Sequence, residues 1–494
     1  MIKNWIECEA GLLGELIRGI NYKKPQSSDS QQKGYLPVLR ANNIKSNTLN
    51  FDGLKYVEED LVKSEQKILK GDIVFAMSSG SKHLVGKSGQ AQSDYEGSFG
   101  AFCSVFRPNE NIDPNFIQFY FHSGAFRRII SNASKGSNIN NLKREHILNA
   151  IIPLPSKPEQ RAIVTKIEEL FSDLDKGIAD LKKAQDQLKV YHQAVLKKAF
   201  EGELTNEWRE ENNYSLNGFL NELKESKNRA IKQKLISKGE YFPNYDTKSL
   251  TFNAPKNWLI LPWKTLCSNN KYAMKRGPFG SALKKAFFVE KGIVVYEQGH
   301  AINDEPFRHR YFISSEKFEE LKAFETKAGD MIISCSGVTL GRICLLPYNA
   351  DTGVINQALL KIDMDESIML KKYFVQLFRS GTFQRLIFQK SLGSAMPNMV
   401  GMSELKEIPI PIPSIEEQHQ ILREIESRLS VCDKVEENIS ESLKKAKALH
   451  QSILKKAFEG TLLSEEEIAA CKAAPDYEPA SVLLKKIKAE KKKK

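Results

Sequence analysis

Pro475-Asp476 followed by Glu490-Lys491-Lys492 is the spacing in this 494-residue chain that most resembles a metal-dependent nuclease centre. Such a centre needs carboxylates to hold a divalent cation and a cationic side chain beside the attacked phosphate. The match lies in a terminal lysine run, where composition alone produces it. No DPPY or NPPY motif of an adenine methyltransferase is present, no G-x-G-x-x-G follows a strand, and no Walker A pattern occurs. The eight histidines show no metal or triad spacing. The seven cysteines (Cys8, Cys103, Cys267, Cys335, Cys344, Cys432, Cys471) are odd in number, scattered and without a C-x-x-C pair, so reduced thiols are expected and no metal site. Nothing in these patterns argues for catalysis by this chain alone.

The elements around these residues are therefore more informative. A chain of this length exceeds one hydrophobic core, and 41% hydrophobic residues suffice for globular folding. No apolar run is long enough to span a bilayer, and "MIKNWIECEA" does not have the form of a secretory signal, so a cytoplasmic location is expected. The net charge is +12. The last ten residues, "KKIKAEKKKK", hold seven lysines against one glutamate and account for half of that excess. The body is only mildly basic, so a polyanion-binding surface must be made of local clusters, and the lysine run is expected to be a solvated, disordered tail.

The chain repeats itself. "LKKAFEGELT" at 196–205 returns as "LKKAFEGTLL" at 454–463, an offset of 258. At the same offset "IPLPSKPEQRAI" (152–163) lies over "IPIPSIEEQHQI" (410–421), giving a gapless unit of about 53 residues. Prolines at its start and Gly202 or Gly460 at its end bracket one long helix in each copy. Ile167, Leu174, Leu181, Leu188 and Val195 fall every seven residues in the first copy, with Leu170, Ala184 and Tyr191 between them. Ile425, Cys432, Ile439, Ala446 and Ile453 do so in the second, with Val435 and Leu449 interleaved. These are coiled-coil seams, and the natural partner of each is the other, in an antiparallel pair.

The segments between repeat more faintly. "KGDIVFAMSSG" (70–80) matches "AGDMIISCSGV" (328–338), and "SGAFRRIISNASKGSNINNL" (123–142) matches "SGTFQRLIFQKSLGSAMPNM" (380–399). Short β-branched runs precede amphipathic stretches such as "PNFIQFYFHSGAFRRII", an α+β pattern. The expectation is a duplicated domain-then-helix unit whose domains have diverged more than its helices.

The proline entries "IPLPSKPEQ" and "IPIPIPSIEEQ", the endings "QAVLKKAFEGELT" and "QSILKKAFEGTLL", and the "SNINN" and "SAMPN" segments together resemble the specificity (S, HsdS) subunits of type I restriction–modification systems, over essentially the full length. The resemblance implies two α+β target-recognition domains separated by two long antiparallel helices in a coiled coil, with an internal pseudo-two-fold repeat. The boundaries expected are 1–150 and 206–407 for the recognition domains, 151–205 and 408–463 for the helical spacers, and 464–494 for a C-terminal extension. It further implies a non-catalytic subunit: each domain reads one half of a bipartite double-stranded DNA target, and two methyltransferase (M) subunits bind around the helices. S-adenosylmethionine then belongs to the M subunits, ATP and magnesium to restriction (R) subunits, and no cofactor to this chain. The segment "SEEEIAACKAAPDYEP", which replaces the "NEWREEN" of the first copy, leaves the role of the C-terminus open.

Reading bases requires amides, hydroxyls and cations on loops that reach groove edges. In the first domain Arg40, Asn42, Asn43, Ser78, Ser79, Ser81, Lys82 and Lys87 fit that description; Asn42 and Asn43 fit turn formation as well. In the second, Arg276, Ser281, Lys284, Lys285, Gln298, His300, Ser336 and Thr339 are the candidates; Phe279 suits either insertion near a groove or, the favoured reading, the core. Asn138, Asn140 and Asn398 suit either DNA contact or turns. Lys197, Lys198, Phe200, Lys455, Lys456 and Phe458 are candidates for the partner surface, the two phenylalanines equally for capping the coiled coil. The competing readings are a coiled-coil DNA adaptor without sequence preference and a self-contained methyltransferase or nuclease, which the absent motifs disfavour.

Overall fold

The computed structural model describes residues 4–45, 47–79, 85–133, 140–245, 253–337, 339–388 and 399–493; Ser81, Lys82, Asn138 and Asn398 lie outside them. The chain divides into two compact units, Met1–Lys182 with Ile439–Lys494, and Lys183–Asn438. Each long helix contributes one part to each unit.

Both units are closed at the base in the same way. In the first, Ile6–Glu9 pairs antiparallel with Ile151–Leu154. In the second, Leu259–Pro262 pairs with Pro409–Ile412. The alternating prolines are tolerated because each ribbon has only two strands and one edge needs no donors. Above the ribbon the first unit carries a six-stranded sheet that includes Gly14–Arg18, Cys103–Pro108, Ile73–Ala76 and Ser88–Gln90 in that order. The second carries a four-stranded counterpart, Met274–Arg276, Leu359–Ile362, Met331–Ser334 and Ile343–Leu345. Each unit adds a second sheet and a pair of short helices, Pro114–His122 with Gly124–Ala133, and Lys371–Arg379 with Gly381–Phe388. The fold is α+β. The amphipathic stretch read as one helix is broken at Ser123, which is extended and whose hydroxyl accepts from the Phe126 amide.

The long helices span Lys157–Phe200 and Ile415–Phe458, and each stops before a glycine in the left-handed region, Gly202 at φ +73° and Gly460 at φ +66°. Within each unit they run antiparallel. In the first, Phe171 packs on His450 at 4.4 Å and Asp175 meets the His450 ring at 3.3 Å, while Ile163, Val164 and Ile167 share a core with Ile453, Leu454 and Ala457. In the second, His192 feels the charges of Asp433 and Glu436, while Val195, Leu196 and Phe200 share a core with Ile421, Ile425 and Leu429. The seven-residue rows Ile167 to Val195 and Ile425 to Ile453 are buried or half-buried. Three of the interleaved positions differ from expectation: Tyr191 is 47%, Val435 39% and Leu449 50% exposed. The seam is a narrow row that is fully buried mainly where the helix ends meet the globular cores.

The repeat differs most at one buried carboxylate. Glu417 is fully buried and accepts from Thr205 Oγ1 (2.7 Å), Arg209 Nε and Nη2 (2.9 and 2.7 Å), Trp258 Nε1 (2.9 Å) and the Tyr214 hydroxyl. Burial and then the bond to Glu417 hold the Tyr214 phenol well above its ordinary pKa. Its repeat counterpart Glu159 accepts from Ser156 Oγ (2.6 Å), the Ser156 amide (3.0 Å) and, at 3.4 Å, Trp5 Nε1. The residues equivalent to Thr205, Arg209 and Tyr214 are Leu463, Glu467 and Lys472, which cannot form such a hub.

The C-terminus is not the solvated tail expected. Glu465–Lys472 is a helix capped by Ser464, and Ala480–Lys493 is a second helix whose Ala480, Leu483, Leu484 and Ile487 are buried in the core of the first unit. A period of three to four in "ASVLLKKIKA" marks its apolar face; the lysines occupy the others. The nuclease-like residues have structural partners: Asp476 takes a two-pronged pair from Arg161 (2.8 and 2.9 Å), and Glu490 accepts from Asn109 (3.2 Å) and Asn111 (3.0 Å). Burial pushes the thiols of Cys8, Cys103, Cys267, Cys335 and Cys344 up to about 12, so they stay protonated.

One further divergence titrates. In the first unit buried Asp72 is paired with Arg107 (2.8 and 2.7 Å). Among the described residues its counterpart Asp330 has no arginine partner, and burial raises its carboxyl to about 6, against the Lys327 amide, the charge of Lys361 and the Thr326 hydroxyl. The folded carboxyl thus holds its proton more tightly than an unfolded one. Its contribution favours the fold below pH ~4 and is lost as pH rises through about 6. Asp330→Asn should therefore raise the melting temperature of the second unit at pH 7.5 and lose that advantage by pH 4.5, measured by calorimetry across pH; an equal gain at both pH values would refute the linkage.

Candidate nucleic-acid interface

Strand register decides which loops meet. In the first unit Cys103 faces Ala76, Ser104 faces Arg18 and Ser88 faces Phe75, so Gly19, Ser78, Lys87 and Phe102 leave the sheet at the same end. The Met77 amide donates to the Phe102 carbonyl (2.8 Å), the Ala76 amide to that of Lys87 (2.9 Å) and the Gly100 amide to that of Leu39 (2.9 Å), which brings Arg40 to this end too. Gly19 lies so close to the Gly100 carbonyl that a Cβ there would sit 2.2 Å from the oxygen.

Side chains at this edge are not equivalent. Asn42 is exposed. Asn43 is buried: its Oδ1 accepts from the Arg40 amide (3.0 Å), and its Nδ2 donates to the carbonyls of Asn50 (3.0 Å) and Asp52 (2.9 Å). It builds the turn and has no surface to offer DNA. Arg40 is half-buried, and its Nη2 donates to the Gly53 carbonyl at 3.1 Å, which fixes its direction. Ser78 and Ser79 form a short strand against Asn140 and Asn141; of Ser79 and Asn140 only the backbone is described. Lys87 is half-buried.

The second unit repeats the arrangement. The Gly277 amide donates to the Leu359 carbonyl (2.8 Å) and the Cys335 amide to that of Ala358 (2.8 Å), so Arg276 and Ser336 emerge together. Gln298 Nε2 donates to the Ser336 carbonyl and joins them. A Cβ on Gly277 would lie 1.8 Å from the Asn356 carbonyl oxygen, the same backbone-on-backbone approach as Gly19 on Gly100. Ser281, Lys284 and Lys285 are exposed on the loop that follows, and Thr339 is half-buried with its carbonyl accepting from Ser334. His300 is 2% exposed; its Nδ1 accepts from the Glu297 amide at 2.9 Å, and burial lowers its pKa, so it is a neutral structural residue. Phe279, expected in the core, is 89% exposed. Sequence reasoning missed Phe102, 69% exposed at the corresponding edge; only its setting in the glycine turn "SFGAFC" hinted at it.

Among the partner candidates, Lys197, Lys198, Lys455 and Lys456 are exposed on the last helical turns. Phe200 and Phe458 are not available: Phe200 packs edge-on against Tyr373 at 5.3 Å, and Phe458 on Phe116 at 5.2 Å and Tyr120 at 5.3 Å.

Against this geometry, the sequence profile described as type I restriction modification DNA specificity domain matches residues 5–183 and 280–445. The chain belongs to this family. It is 30% identical over 493 residues to the type I restriction enzyme StySPI specificity subunit of Salmonella potsdam, covering 99% of this chain and 96% of that one. It is 27% identical to the EcoKI specificity subunit of Escherichia coli K12, with the same coverage. A solved chain from work on complex assembly and conformational transition of the type I R-M system superposes with a TM-score of 0.65 at 17% identity, over 93% of this chain and 99% of that chain, which establishes the likeness of fold. As a type I specificity subunit it is non-catalytic. Among the described residues no helix is long and apolar enough to cross a membrane.

Proposed function

We propose that each unit reads one half of a bipartite double-stranded DNA target through the sheet edge described above, the long helices fix the spacing between halves, and two methyltransferase subunits dock on the helices. The observation that carries this reading is the duplicated edge: the same backbone frame presents Arg40, Asn42, Ser78 and Lys87 in one unit and Arg276, Ser281, Gln298 and Ser336 in the other. Equivalent frames with different side chains suit two readers of different half-sites. The helices, whose sequences have diverged least, suit two copies of one partner. Val190 (71% exposed), Tyr191, Val431 (65%) and Val435 leave apolar side chains exposed on both helices of the second unit, where a methyltransferase subunit would seat. S-adenosylmethionine on those subunits, ATP and magnesium on restriction subunits, and a cytoplasmic location complete the proposal.

Its test is half-site selectivity. Arg40→Ala weakens binding about five- to a hundred-fold for duplexes altered in neither half, and the loss maps to bases of one half only; Arg276→Ala does the same for the other. The target comes from mapping methylated adenines in the host genome. Equal loss at both halves from either substitution contradicts the reading.

A further inference from the structure

Resting on that reading of the two edges, we infer that Phe102 and Phe279 are aromatic wedges, one for each half-site, that enter the duplex and unstack a base step beside the bases being read. A single exposed phenylalanine is ordinary on a protein surface, so exposure alone decides nothing. Their surroundings decide more. Phe51, also exposed, rests on Tyr95 at 4.8 Å, and Phe287 lies under the Lys317 ammonium at 4.2 Å. Among the described residues neither Phe102 nor Phe279 has a ring or cation partner. Phe279 stands between Pro278 and Gly280, and a Cβ added at Gly280 would meet nothing within 4 Å, so this loop tip projects clear of the protein.

Position is the second argument. Phe102 shares its end of the sheet with Arg40, Ser78 and Lys87, tied there by the Met77 amide on its own carbonyl. The structural counterpart of Phe102 in the second unit is Ala358, whose carbonyl takes the Cys335 amide at the same 2.8 Å. That alanine cannot wedge. The phenyl comes instead from Phe279, two residues past Gly277, the counterpart of Gly19; the first unit has Asn21 in that place. Each edge thus carries a phenyl more than two thirds exposed, against 39% for Phe287 and 52% for Phe307, drawn from a different loop, with cations beside it: Arg40 and Lys87 in one, Arg276, Lys284 and Lys285 in the other. Cations hold a backbone close while an apolar ring inserted between bases gains stacking that water denies it. A step loosened in this way also lowers the cost of extruding a neighbouring base for methylation.

The probe is a duplex of the mapped target with 2-aminopurine placed singly at each position of each half, bound by the full chain in complex with its methyltransferase subunits. The wild-type complex should raise fluorescence at a step flanking the read bases in both halves. Phe279→Ala should abolish that rise in one half and weaken binding about ten-fold, Phe102→Ala should do so in the other, and the leucine variants should retain part of both effects. Melting temperatures should not move, since both rings are exposed. Selective binding with unchanged fluorescence and affinity in the alanine variants overturns the wedge and leaves the reader standing; loss in both halves from one substitution also overturns it. A wild-type complex without preference for the target overturns the reading on which it rests.

Discussion

Glu417→Ala lowers the melting temperature of the second unit by about 10 °C, whereas Glu159→Ala in the first unit lowers it by only a few degrees. The two residues occupy the same position of the repeat, yet one is a hub and the other a local cap. Removing the Glu417 carboxylate strands Arg209, Thr205, Tyr214 and Trp258 without their shared acceptor in a site that excludes water. Breaking one side of such a buried pair costs about 3–5 kcal/mol, and about 2–4 °C follows from each kcal/mol in a unit of this size. Glu159 closes a capping box with Ser156, an interaction of about 1 kcal/mol. Differential scanning calorimetry with hydrogen exchange to assign each transition distinguishes the two; equal shifts would mean that the hub does not hold the second unit together. Glu417→Gln should recover only part of the loss, because Oε1 can still accept from Arg209 but an amide nitrogen in place of Oε2 would face the Trp258 and Tyr214 donors.

Deleting residues 480–494 is the second large expected effect. It withdraws Leu483, Leu484 and Ile487 from the core of the first unit, each about 1.5–3 kcal/mol of burial, offset in part by the ordering entropy of the helix. The net loss is about 4 kcal/mol, confined to the first unit. Exchange protection should fall in Ile6–Glu9, Ile151–Leu154 and Pro114–His122 and stay constant in residues 259–362. Replacing the lysines of this helix by glutamine while keeping its apolar face should leave protection unchanged. Undiminished protection after the deletion would show that the terminal helix lies on the surface without supporting it.

What the sequence disclosed followed from periodicity and repetition. A seven-residue apolar row bracketed by proline and glycine located the helices Lys157–Phe200 and Ile415–Phe458, and β-branched runs located Ile73–Ala76 and Met331–Ser334. Less legible were features set by what lies behind a residue. Asn43 and His300 lie in polar segments that read as recognition loops, but one closes a 3-10 turn and the other lies in a short helix, both bond main-chain amides, and an inward amide or imidazole is written with the same letter as an outward one. Phe279 has the reverse history: an aromatic between proline and glycine reads as core until the loop is seen to project away from it. The lysine-rich end was masked by its charge, which hid a four-residue apolar stripe sufficient to dock a helix. Tyr191, Val435 and Leu449 lie on the coiled-coil period yet remain exposed, because the period records an apolar face without saying which partner covers it.

The second unit is continuous in the chain, but the first is assembled from both ends of it, with 56 residues, Ile439–Lys494, supplied last. On a ribosome adding ~5–20 residues per second, the later-encoded reader can therefore be finished while the earlier one still waits for its final helix. A message cut short near its end leaves a molecule with one competent half and an open hydrophobic face on the other. Such a product bares the face that Leu483, Leu484 and Ile487 would cover, so the order of synthesis ties the earlier-encoded reader to completion of the later-encoded residues.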